Sequence, residues 1–182
     1  ASTTQVQRAA KMLAEANFPM IHAGSGIVHA LAFEELEKVA EILQAPVLTS
    51  WGARGALCEK NRLSVPMIYI ELNEEMRKKS DLVLTLGSRI SETDRWGKVP
   101  HWGDPTKQKM IQVDEDDEYL GRNKPVDLAI LSDVKTFLND LYEELKKYTS
   151  IMDIDSRKHQ MNTSLKIKDK EQKKIDQTLE DF

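Results

Sequence analysis

The sequence predicts an α/β fold, with a parallel sheet of about five strands and helices packed on both faces. Three observations carry this. Short apolar runs alternate with segments of helical period up to about residue 150. The run Asp81-Leu82-Val83-Leu84-Thr85-Leu86-Gly87-Ser88-Arg89 opens on a charge, is mostly branched and apolar, and stops at glycine; that is the composition of a strand buried on both faces. Two such runs end in glycine, at Gly24-Ser25-Gly26 and at Gly87-Ser88-Arg89, which puts turn residues at the strand ends where open parallel sheets bind ligands.

Taken in order, Val6, Ala9, Ala10, Leu13 and Ala14 recur at helical spacing, with Thr3 or Thr4 as the cap and Asn17 as the stop. The first strand is Phe18 to Ala23, with Pro19 tolerated only at its start. His29 to Gln44 reads as one helix, apolar through Leu31, Leu36, Val39, Ala40 and Leu43. Ala45 to Ser50 is the second strand, leading into Trp51-Gly52-Ala53-Arg54-Gly55. Ala56 to Pro66 has no period and reads as loop. Met67 to Lys79 is helical, acidic early and basic late, as the helix dipole favours. After the central strand, Ser91 to Lys109 is a long loop punctuated by glycine and proline; long loops in compact domains are often functional. Met110 to Asp114 and Val126 to Leu131 are the last strands, and Ser132-Asp133 cap a closing helix.

Beyond Ser150 the composition changes. Residues 151–182 hold seven acidic and seven basic residues with few large apolar ones. That is a charged linker or tail helix, mobile or docked by a neighbour, rather than a second domain. Residues 1–150 form the domain.

Composition excludes several classes. A net charge of −4 offers no basic field for nucleic acid. No run approaches the roughly 20 apolar residues that span a membrane. A single cysteine, Cys58, makes no intrachain disulfide, so a reducing cytoplasmic location is expected. The four histidines lack metal-ligand spacing and read as structural or surface residues, and the acidic run Asp114 to Glu118 lacks the alternation of a calcium loop. No metal site and no catalytic residue is assigned.

Gly24-Ser25-Gly26, after a strand and before a helix, has the form of a phosphate-cradling turn. The nicotinamide fingerprint needs a third glycine where His29 stands and an acid where Thr49-Ser50 end the second strand; neither is present. No P-loop lysine follows.

In order and spacing, Ala23-Gly24-Ser25-Gly26, then Ala45-Pro46-Val47-Leu48-Thr49-Ser50-Trp51-Gly52, Ser80 to Arg89, Ile111-Gln112-Val113-Asp114 with Gly121-Arg122-Asn123, and Asp127 to Asp133 resemble the central domain of thiamine-diphosphate-dependent enzymes of the acetolactate synthase family. The resemblance covers about Val6 to Tyr148. It implies a sheet of five to six parallel strands like the nucleotide-binding domain of deoxyhypusine synthase. It also implies a parent enzyme, a lyase or transferase, whose thiamine diphosphate and magnesium sit in two other domains. Those missing N- and C-terminal domains are the expected partners, in a homo-oligomer. The family's Gly-Asp-Gly signature with a downstream Asn-Asn is absent from this sequence, so the chain reads as an excised central domain, inactive alone. In relatives this domain holds FAD, or ADP, or serves as structure. The resemblance places such a ligand against Gly24, Ser25, Gly26, Thr49, Ser50, Gly52, Gly87, Ser88, Arg89, Asp114, Glu115, Ser132 and Asp133. Gly52-Ala53-Arg54-Gly55 departs from the family's Gly-Lys-Gly near the flavin, and Ser132-Asp133 stands where many relatives have Gly-Asp.

Three functions compete at this point: a nucleotide-binding central domain, a purely architectural one with an empty cleft, and a nicotinamide-dependent oxidoreductase.

Overall fold

A computed structural model describes residues 1–180; the last two residues of the 151–182 tail lie outside the described residues. The chain runs α1 (Thr3–Glu15), β1 (Pro19–Ala23), α2 (Ser25–His29), α3 (Phe33–Leu43), β2 (Val47–Thr49), β3 (Ser64–Val65), α4 (Ile70–Lys79), β4 (Leu82–Leu86), β5 (Lys109–Asp114), β6 (Leu128–Leu131), α5 (Val134–Leu145) and α6 (Ile154–Glu180). The strands form one six-stranded sheet in the order β3-β2-β1-β4-β5-β6, and every pairing is parallel. The order reverses between β1 and β4, where His22 is level with Thr85 and Ala23 with Leu86.

The central strands are buried along their whole length, as expected of a sheet covered on both faces. α1 and α3 pack with α5, while α4 packs with α6. The apolar stripes of α1 and α3 supply Leu13, Leu36, Val39 and Leu43 to the core, each without exposed surface. No described helix is long and apolar enough to cross a membrane.

Four local details differ from the sequence reading. Ser2, not Thr3 or Thr4, caps α1, in a reciprocal capping box with Gln5. The helix expected from His29 to Gln44 begins only at Phe33, as α3, and the short α2 ends at His29 before it. α2 closes when the amides of Leu31 and Ala32 bond the carbonyls of Val28 and Ile27, with Leu31 in the left-handed region at φ 50°. That is a Schellman-type end, and it turns Leu31 out to solvent instead of into the core. β3 lies inside the stretch read as loop; Ser64 and Val65 pair with Val47 and Leu48, and two residues are too few to show a period.

The fourth difference is α6. The tail is a helix, one of the two forms expected, but it lies against its own domain, held by buried polar groups together with Met161 and the half-buried Ile154, Leu165, Ile167 and Ile175. The fully buried Arg157 guanidinium donates to the carbonyls of Leu13, Ala14 and Ala16 at the end of α1 and of Leu43 at the end of α3. Carbonyls at a helix end lack intrahelical donors and carry the negative end of the dipole, so a cation is the complementary cap. Farther along, both Glu171 oxygens accept from amides in the first turn of α4, those of Glu71 and Leu72. Met161 is the one large apolar side chain of α6 that is fully buried among the described residues.

Candidate functional site

The floor of the site is built from glycines that need each other. β1 ends at Gly24, whose amide donates to the Leu86 carbonyl at 2.8 Å. A Cβ on Gly24 would lie 2.1 Å from the Gly87 carbonyl oxygen, and one on Gly26 would lie 2.7 Å from the Gly87 Cα. Gly87 has φ +53°, a conformation side chains rarely adopt. The glycines therefore let two backbones touch at the β1–β4 switch point, and the Gly26 amide is itself used by the Gly87 carbonyl at 3.1 Å. Of the Gly24-Ser25-Gly26 amides, only that of Ser25 has no acceptor among the described residues.

Above this floor is a cleft of about 560 Å³ at the carboxyl ends of the strands. Ser25 and Gly26 open one side, and Ser50, Trp51 and Gly52 follow β2. Gly87, Ser88 and Arg89 follow β4, and Asp114 and Glu115 follow β5 with Asp133 beyond them. Trp51 aside, these are ten of the thirteen residues singled out from the sequence. Gly24, Thr49 and Ser132 do not line the cleft. Gly24 is under the floor. Thr49 is buried in the strand, its hydroxyl without a partner among the described residues. The Ser132 hydroxyl accepts from the Ala1 amino group and its amide donates to the Asp114 carbonyl.

The sequence reading missed His29, Thr93, Asp94 and the two aromatic residues of the wall, Trp51 and Tyr119. Trp51 belongs to the Ala45–Gly52 segment, where its neighbours and not the indole carry the expected contacts. Tyr119 follows the acidic turn by one residue, and no local pattern marks it. Arg89 is exposed and its guanidinium stands 5.2 Å from the Tyr119 ring, within cation–π range. No ion pair of Arg89 with Glu92 or Asp94 forms among the described residues; Asp94 is engaged elsewhere.

Asp94 is 2% exposed, with one oxygen 3.1 Å from Arg77 and the other 3.5 Å from His22 Nε2. Its backbone carbonyl accepts from the Trp102 indole at 2.7 Å. Burial acts to raise the Asp94 carboxyl, but His22 and Arg77 outweigh it and hold the group below its usual value. His22 Nε2 is also 3.2 Å from the Ser88 hydroxyl. Gln112 of β5 donates to the Ser88 carbonyl at 3.1 Å, and Asn123 donates to the carbonyls of Arg89 and Ile90. The loop after β4 is thus tied down from both sides, which accounts for the Gly121-Arg122-Asn123 segment.

The acids differ from one another. Burial pushes Asp114 up, against the Asp116 and Glu115 amides that donate to its carboxylate and favour the charged form. Asp133 is held down, first by the Thr136 amide that it caps at 2.8 Å. No group of three or more metal-ligating side chains converges among the described residues.

A doubly wound parallel sheet with a cleft at its switch point defines a class of α/β domain that takes ligands at its strand ends. Comparison with known proteins narrows the class. Residues 6–141 match the family model described as thiamine pyrophosphate enzyme, central domain. The chain is 31% identical over 147 residues to an acetolactate synthase of Mycobacterium bovis, covering 79% of this chain and 23% of that protein. It is 31% identical over 144 residues to a probable acetolactate synthase large subunit of Methanococcus aeolicus, covering 78% and 24%. It is 33% identical over 159 residues to a sulfoacetaldehyde acetyltransferase of Roseovarius nubinhibens, covering 84% and 26%. The chain belongs to the thiamine pyrophosphate enzymes, as their central domain, and spans about a quarter of the length of these relatives.

Proposed function

We propose that this chain is the non-catalytic, ligand-holding central domain of an acetolactate synthase-like enzyme, and that its cleft takes an adenine nucleotide, either ADP or the adenylate half of FAD. The observation that carries this is the gathering of ten sequence-selected residues round one cleft at the switch point. Its volume lies within the range of small-molecule sites. The chemistry divides along the cleft. The Ser25 amide, the Ser88 hydroxyl and the Arg89 guanidinium supply donors for a diphosphate; Asp114 and Glu115 supply acceptors for ribose and adenine. Trp51 and Tyr119 offer flat faces at the wall. In the parent, thiamine diphosphate with magnesium would be held by the N- and C-terminal domains, in a cytoplasmic homo-oligomer.

One observation favours the architectural alternative. Two of the three glycine-turn amides are spent on protein carbonyls, and Asp94, Asp114, Glu115 and Asp133 face the cleft against Arg89 and His29.

Calorimetric titration of ADP and FAD into wild type and Arg89→Ala separates the readings. Binding by wild type with an affinity loss of about 3- to 10-fold in the variant supports the nucleotide site, the charged hydrogen bond being weakened by its exposure to water. No binding of either nucleotide at millimolar concentration leaves the domain architectural. Equal binding by both proteins keeps the site and removes the role of Arg89.

A further inference from the structure

We infer that buried His22 fixes the Ser88 hydroxyl as a hydrogen-bond donor aimed into the cleft, so that the ligand atom seated over Ser88 must be an acceptor. The ligand side of this inference rests on the nucleotide reading.

His22 is the fourth of the five residues of β1, with no exposed surface, and its Nδ1 has no partner among the described residues. Its Nε2 faces both the Ser88 hydroxyl and the Asp94 carboxylate, whose other oxygen is bound by Arg77. The tautomer follows from these partners. A proton on Nδ1 with Nε2 bare would bury an unpaired donor and turn a lone pair toward a carboxylate; both are unfavourable. A proton on Nε2 is shared between two acceptors.

With Nε2 protonated, the Ser88 oxygen accepts from His22 at 3.2 Å and from the Ile90 amide at 3.3 Å. A serine oxygen has two acceptor positions, so what remains is its O–H. That hydrogen has no acceptor among the described residues, and Ser88 lines the cleft. Since the Gln112 side chain also pins the Ser88 carbonyl, the donor is held in place before any ligand arrives. A phosphoryl or carbonyl oxygen completes this geometry; an ammonium or amide N–H at the same point meets a second donor. His22 is therefore a positioning residue, acting through Ser88 and touching no ligand.

Two measurements test this. Nitrogen-15 NMR of the histidine side chains in the wild-type protein should show His22 protonated at Nε2; a bare Nε2 overturns the proposal without reference to any ligand. In ADP titrations, Ser88→Ala and His22→Leu should each weaken binding by about 10-fold or more, the worth of one hydrogen bond to an anionic phosphoryl oxygen. His22→Gln, which returns an N–H near the position of Nε2, should bind close to wild type. Wild-type affinity in Ser88→Ala overturns the donor role, and equal losses in His22→Gln and His22→Leu overturn the positioning role. If the wild type binds no ADP at millimolar concentration, the nucleotide reading and the acceptor assignment fail together, while the histidine spectrum still decides what His22 does to Ser88.

Discussion

Gly26 and Gly87 meet backbone to backbone: a Cβ on Gly87 would stand 2.6 Å from the Gly26 Cα. Because Gly87 is also at φ +53°, a methyl there is opposed by both contact and conformation. Gly87→Ala should cost about 2–4 kcal/mol, combining overpacking with left-handed strain. Equilibrium denaturation in urea would read this as a lower midpoint with an unchanged slope. Gly55→Ala is the control. It has positive φ but open space around the added carbon, and should lose only the conformational part, about 1 kcal/mol.

Arg157 donates to four carbonyls from a fully buried position. Arg157→Met keeps the stem and removes the donors, leaving helix-end carbonyls unpaired; a loss of about 2–4 kcal/mol is expected. Amide exchange in α6 should quicken well beyond that in the sheet. Arg157→Lys should recover only part, since an ammonium cannot spread its donors as a planar fork does.

Asp94 gives a pH signature. Although burial opposes it, His22 and Arg77 hold its carboxyl below the usual 3.8. A lowered folded value means the contribution is fully present above the unfolded value and fades as pH falls through the folded one. Stability measured between about pH 2 and 5 should therefore fall with acid, and Asp94→Asn should flatten that fall while lowering the neutral plateau. An unchanged acid limb in the variant would show that other carboxylates carry it.

Trp51 is 55% exposed on the cleft wall, whereas Trp102 is buried beneath it. ADP should alter the tryptophan emission of the wild type and leave Trp51→Phe nearly unchanged. An undiminished signal in the variant would place the ligand elsewhere.

The isolated chain should not bind thiamine diphosphate with magnesium in calorimetric titration, because the Gly-Asp-Gly and Asn-Asn residues expected to hold them are absent from this sequence. Tight stoichiometric binding would refute this.

The sheet was readable because burial on both faces leaves continuous apolar runs, as in Leu82 to Leu86, and because glycine marks where β1 and β4 stop. The break at Leu31 was not, since its cause is a pair of backbone hydrogen bonds and leucine is an ordinary helix former. The same limit applies to the site. Ten residues of the cleft stand in motifs, but Asp94 and Tyr119 enter it by long-range folding of irregular segments. His22 looked like a core histidine, and only its distances to Ser88 and Asp94 show a directional role. A helix in the tail was legible, but its docking on its own domain was not: counting apolar residues measures burial of area, and α6 adds capping charges to a few packed apolar side chains.

Those two caps make α6 a ruler. Arg157 and Glu171 are fourteen residues apart in one helix, about 21 Å of rise and close to four whole turns, so both point the same way. Deleting one residue between them would swing one cap about 100° off its target, whereas deleting a whole turn would keep the bearing and miss by about 6 Å. Chain length between these positions is therefore fixed more tightly than the intervening side chains, most of which face water.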